Sequence, residues 1–213
     1  YEDILKYGRA QEMLPANTIT VKQIPRLPMS ETPFASSFSA ESGFPCPTGR
    51  GIGVAVLDTG CFPHNDLQGR IAAFFDMVRR RRTPYDDNGH GTHVCGIIGG
   101  NGSASGGRFR GVAPGCHLIP VKVLDKRGGG YVSDVLSGLH TVLQHRDRYN
   151  IRIVNVSVGS FSGRNMSENS ALVRGVEEIW DAGFVVVVAA GNMGPGYGTI
   201  TTPGISRKVI TVG

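Results

Sequence analysis

The chain has 213 residues, 40% of them hydrophobic, with a formal net charge of +5. That length and apolar content suit one compact domain with a sizeable core, with room for a short appendage, and exclude a disordered chain. No apolar run reaches membrane-spanning length and no charged start leads into an apolar stretch, so neither a membrane partner nor a signal peptide is expected.

Residues 1 to about 45 differ in texture from the rest. Tyr1 to Leu14 is predicted as a short amphipathic helix with Ile4, Leu5, Tyr7 and Met13 on related faces, and residues 18 to 24 alternate like a strand. Pro25, Pro28, Pro33, Pro45 and Pro47 then interrupt regular structure. From Gly51 onward strands are predicted at 52–58, 70–75, 117–124, 151–158, 184–190 and 208–212, and helices at 90–100, 133–147 and 169–182. This alternation implies a three-layer α/β/α fold with a mainly parallel, doubly wound sheet. Ser133 is the expected N-cap before Val135, Leu136, Leu139, Val142 and Leu143, and Glu168-Asn169-Ser170 opens the next helix.

Most of the positive excess sits in Arg79-Arg80-Arg81-Arg82. No aromatic residue interleaves the run, which favours a solvated loop over a nucleic-acid site. Cys46, Cys61, Cys95 and Cys116 lack CxxC spacing, so free thiols in a reducing compartment are expected. A cytoplasmic location follows, with secretion as the alternative. The 31 glycines concentrate in loops, where backbone must come close to a ligand.

Three predicted core elements end on polar groups. The apolar run from Gly51 stops on Asp58, at the carboxyl end of a strand, where open α/β sheets gather their chemistry. His90 stands where an Asp-Asn-Gly turn enters a helix, and Asn192 follows the run Phe184 to Ala190 with a carboxamide able to donate to an oxyanion. Asp58 alone would read as a carboxylate capping a turn, and Asn192 as a turn residue before Gly194-Pro195-Gly196. Together with His90 they support acyl transfer. Dinucleotide binding is rejected, because Gly51-Ile52-Gly53 precedes its strand rather than following it. His93 shares a side of the helix with His90, yet without an HExxH glutamate it reads as a structural, hydrogen-bonded histidine, and no metal site is assigned. Cys61 and Cys95 read as inert packing rather than nucleophiles.

Asp58-Thr59-Gly60, Gly89-His90-Gly91-Thr92-His93 and Ala189-Ala190-Gly191-Asn192, in that order, resemble the motifs of the subtilases, the subtilisin-like serine peptidases. Residues 63–67, 85–93, 111–114, 121–125 and 203–213 are most similar to the bacterial intracellular alkaline subgroup. The resemblance implies a serine endopeptidase with a Ser-His-Asp triad in which Asp58 orients His90 and Asn192 serves the oxyanion. It further implies that Gly128, Gly129 and Gly130, with Ser157, Val158 and Gly159, form the edges that receive a peptide or protein substrate. Ala189, Ala190 and Gly191 would then floor its first pocket. No Gly-Thr-Ser-Met-Ala segment occurs, so the serine is expected from a segment not in this chain. The C-terminal part of the catalytic domain would be missing and the fragment inactive alone. By the same resemblance residues 1–30 are expected to be the tail of the protein's own prosegment or an N-terminal extension, 31–50 a lead-in, and 51–213 the N-terminal two thirds of the catalytic domain. No cofactor is certain. Asp66 and the loop 101–107 are where some relatives hold calcium, though their spread of oxygens is not diagnostic. The competing reading is a catalytically silent subtilase-like protein that binds peptides or a partner.

Overall fold

The computed structural model describes residues 47–160 and 169–213. The helix and strand predicted before residue 25, the segment 1–30, most of 31–50 and Cys46 lie outside them. Among the described residues six strands form one sheet in the order β2-β3-β1-β4-β5-β6, with every pair parallel. They are β1 (Gly53–Asp58), β2 (Phe75–Asp76), β3 (His117–Lys122), β4 (Ile151–Val156), β5 (Val185–Ala189) and β6 (Ile210–Val212). Among the described residues three α-helices accompany them, α1 (His90–Gly99), α2 (Val132–Gln144) and α3 (Ala171–Asp181).

The period of two along each strand sorts the core into two layers. Ala55, Leu57, Ile119 and Val121 pack with α2 and α3 through Val135, Leu139, Val176 and Ile179. Val54, Val56 and Leu118 face the other way, onto Cys95, Val94 and Ile98 of α1. Asp58 continues the parity of Val54 and Val56, and Lys122 that of Leu118. Both polar side chains therefore emerge on the α1 face, side by side in register at the strand ends.

The connections β2–α1–β3 and β3–α2–β4 step in the same direction across the sheet but lie on opposite faces. They therefore have opposite hands, and one departs from the right-handed rule for parallel crossovers.

Local differences from expectation have local causes. The strand predicted at 70–75 shrinks to Phe75–Asp76, because Ile71 makes only an isolated bridge to Leu118. The helix predicted from Ser133 begins one residue earlier, with Tyr131 at the N-cap and no side-chain cap. Ser170 does cap α3, its hydroxyl accepting from the Val173 N–H.

Candidate active site

Asp58 ends β1 fully buried, with Thr59 N–H donating to its Oδ1 at 2.7 Å. His90 opens α1. Its Nδ1 lies 2.8 Å from Asp58 Oδ1 and 2.9 Å from Oδ2. An ionised carboxylate only accepts, so this geometry assigns the proton to Nδ1 and leaves Nε2 with a free lone pair. Donating to Asp58 raises the pKa of His90 above its ordinary 6.5; partial burial opposes that shift, while the charges of Asp58 and Asp86 add to it. The His90 side chain keeps 24% of its surface exposed, so the basic edge is reachable from solvent while the carboxylate is not.

The first turn of α1 approaches β1 so closely that a side chain at position 91 would overlap the carbonyl oxygen of Gly60; Gly91 is required there. Asp86 collects five donors from both sides of this junction. Beneath it Lys122 is fully buried and uses all three of its protons, on Thr59 O at 2.5 Å, Asp87 Oδ1 at 2.7 Å and Leu124 O at 2.8 Å. Sequence reasoning passed over both residues. The signal for Lys122 was legible: a lysine in the apolar strand Leu118 to Leu124, on the parity of Leu118, can be buried only if its charge is paired.

The other predicted residues gather around the same carboxyl edge. Gly128, Gly129 and Gly130 leave β3 through a turn in which Asp125 accepts from Arg127 N and Gly129 N. Asn88, two residues before His90, donates to Lys126 O at 3.1 Å and so ties that turn to the His90 loop. Ser157, Val158 and Gly159 extend β4, where Asn155 donates to the Ser157 hydroxyl at 2.8 Å. Gly159 and Gly191 both lie against the Thr201 side chain, which brings the end of β4 beside Ala189, Ala190 and Gly191. Asn192 lies in an exposed bend beyond β5. Two strand spacings, about 10 Å, separate β5 from β1.

One expectation is corrected. His93, read as a structural histidine, is exposed on the outer side of α1. Around Asp66, oxygens that could serve a cation are in part already engaged. Asp66 Oδ1 already accepts from Ala104 N at 2.6 Å and the Ser103 hydroxyl at 3.2 Å, and Asn101 Oδ1 accepts from Ser103 N. Cys61, Cys95 and Cys116 are buried free thiols, and contact with Cys61, together with burial, pushes the Cys95 thiol well up.

A parallel α/β domain with a buried carboxylate oriented on an imidazole, at the carboxyl edge of its sheet, has the architecture of a triad hydrolase domain. Comparison with known proteins makes that class specific. The family model described as the subtilase family, peptidase S8, matches residues 49–213. Serine protease AprX of Bacillus subtilis is 49% identical over 170 residues, which cover 78% of this chain and 38% of that protein. Subtilisin Savinase of Lederbergia lenta is 37% identical over 166 residues, covering 78% of this chain and 56% of Savinase. A solved cold adapted subtilisin-like serine proteinase superposes with a TM-score of 0.64 at 31% identity, over 78% of this chain and 56% of that one. The chain belongs to the subtilase family, and it spans less than two thirds of these relatives' lengths.

Proposed function

We propose that this chain is the Asp-and-His portion of a serine endopeptidase that hydrolyses peptide bonds in peptide or protein substrates. The observation that carries the reading is the contact between fully buried Asp58 and His90 Nδ1 at 2.8 Å. In this mechanism Asp58 fixes the tautomer and stabilises the imidazolium. The free Nε2 of His90 takes the proton of a serine hydroxyl and later returns it to the leaving amine. The serine belongs to a segment outside these 213 residues. The Asn192 carboxamide donates to the tetrahedral oxyanion, a role whose removal costs about a hundred- to thousandfold in turnover.

The substrate backbone lies between Gly128-Gly129-Gly130 and Ser157-Val158-Gly159, as an added strand, with its first side chain over Ala189, Ala190 and Gly191. The protein's own prosegment is its further partner. Three buried free thiols support a reducing, cytoplasmic setting.

The test is labelling of the full-length protein by a fluorophosphonate, compared with Asp58→Asn and His90→Ala. Labelling should be rapid in the wild type and fall by about four orders of magnitude in Asp58→Asn, where the wrong tautomer faces the serine. Equal labelling of all three proteins, or none of the wild type, would reject the peptidase reading.

A further inference from the structure

We infer that the side chains of Asp86 and Thr59 form a positioning latch for His90, one that touches neither the imidazole nor, apart from the Thr59 backbone N–H, the Asp58 carboxylate but sets the distance between them. Asp86 Oδ1 accepts from the Thr59 hydroxyl at 3.0 Å, Asn88 N at 3.0 Å and Gly89 N at 2.9 Å. Its Oδ2 accepts from Thr92 N at 2.9 Å and from the Thr92 hydroxyl at 2.6 Å.

The two threonines carry the connection onward. Thr59 Oγ1 accepts from Gly91 N at 2.9 Å, so the residue after Asp58 holds the residue after His90. Thr92 Oγ1 accepts from Phe62 N at 2.9 Å, which fastens the loop beyond β1 to the same turn of helix. Apart from the Phe62–Thr92 bond, the side-chain routes from the Asp58 loop to the His90 turn pass Asp86 or Thr59. The N-cap, Gly89, makes no side-chain cap, and the side chain that meets the His90 N–H is that of Asn88, with Oδ1 at 3.2 Å, itself in the loop whose backbone Asp86 holds.

The chemistry selects a carboxylate. Five donors converge on one side chain, and only a group with two accepting oxygens can receive them all. An amide in its place would turn an NH2 toward Thr92 N–H or toward Gly89 N–H, donor against donor. Thr59 is fully buried, so its hydroxyl exchanges no bond with solvent and the relay is closed.

The catalytic half of this inference rests on the peptidase reading; the geometric half does not. Several titratable or charged groups surround His90, of which Asp58 and Asp86 raise its proton affinity. Asp58 faces it from β1 and Asp86 from the preceding loop, the Lys122–Asp87 pair lies beneath at the end of β3, and Cys95 follows on α1. The decisive variants are therefore those that leave every charge in place: Thr59→Val, which removes the hydroxyl, and Thr59→Ser, which keeps it.

In the full-length protein Thr59→Val and Asp86→Asn should lower kcat on a peptide substrate by about tenfold to a hundredfold, with KM within about twofold of wild type. Thr59→Ser should stay close to wild type. The His90 titration midpoint, read by NMR and assigned by its loss in His90→Ala, should fall in Thr59→Val toward the ordinary 6.5 as the bond to Asp58 loosens. Thr59→Val matching Thr59→Ser in kcat, or a folded Thr59→Val with an unmoved midpoint, overturns the latch. If Asp86→Asn does not fold, the two Thr59 variants decide. A wild type without peptidase activity would sink the proposed function instead, and the midpoint alone would then judge the latch.

Discussion

The polar residues of the site behave according to how completely each is partnered. Lys122 has no surface in water, yet its ammonium meets three oxygens, as many as it has protons. Replacing it with methionine would keep the stem and its packing but strand two backbone carbonyls and Asp87. Losing one member of a buried pair costs about 3 to 5 kcal/mol, and Lys122→Met should fall near 3, because the Asp87 side chain retains 27% exposure and can recover some hydration. The urea midpoint, followed through the fluorescence of Trp180, which packs against the core, measures the loss. A midpoint equal to wild type would mean that Lys122 is not needed to hold the three segments it joins. At this scale the sequence was partly legible. Asp58 and His90 stood out because each ends or begins a core element, whereas the function of Asp86 lies in five bonds to residues on two separate segments, a pattern no local spacing encodes.

Among elements, α1 shows how one chemical change acts with opposite sign at two positions. Alanine suits a helix interior better than glycine by about 1 kcal/mol. At Gly96 no atom lies within 4 Å of where the methyl group would go, so Gly96→Ala should raise the thermal midpoint. At Gly91 the methyl group would overlap Gly60 O and come within 3.1 Å of Gly60 N and 3.2 Å of Asp58 Cβ. Gly91→Ala should therefore lower the midpoint and push α1 away from the end of β1, weakening the contact between Asp58 and His90. Paired thermal melts of the two variants check this, and a stabilised Gly91→Ala would show that the close approach is not needed. The helix was readable as a small-residue run after a turn. Which of its glycines touches the strand was not, because that depends on how deeply the helix sits against the sheet. The lost N-cap at Ser133 has a related cause: Tyr131 already leaves β-type backbone at the right place, and the helix starts without a side-chain cap.

Across the whole molecule, the alternation of strands and helices announced a parallel α/β sheet, but not the order in which the strands lie. β1 sits between β3 and β4, with crossovers of opposite hand on the two faces, and this places α1 over the end of β1 on the face that Asp58 takes. Such an arrangement depends on long connections, and two carboxylates brace the one that precedes His90. Asp76, at the end of β2, accepts from Val78 N, Arg79 N, Arg81 N and the Tyr85 hydroxyl. Burial and the bond to Asp76 push the Tyr85 phenol up to about 12, so it remains a donor at any working pH. Burial alone would raise both Asp76 and Asp86, but the donors around them outweigh it and hold each below the ordinary 3.8. With folded values below unfolded ones, the unfolded chain binds protons first as acid is added. Their contribution to stability is thus complete above 3.8 and is lost as pH falls through the folded values. The urea midpoint should decline below that pH, and the decline should be shallower in Asp76→Asn, which starts from a lower midpoint but has one fewer such group to protonate. An Asp76→Asn slope as steep as wild type would mean that the acid sensitivity arises elsewhere in the molecule.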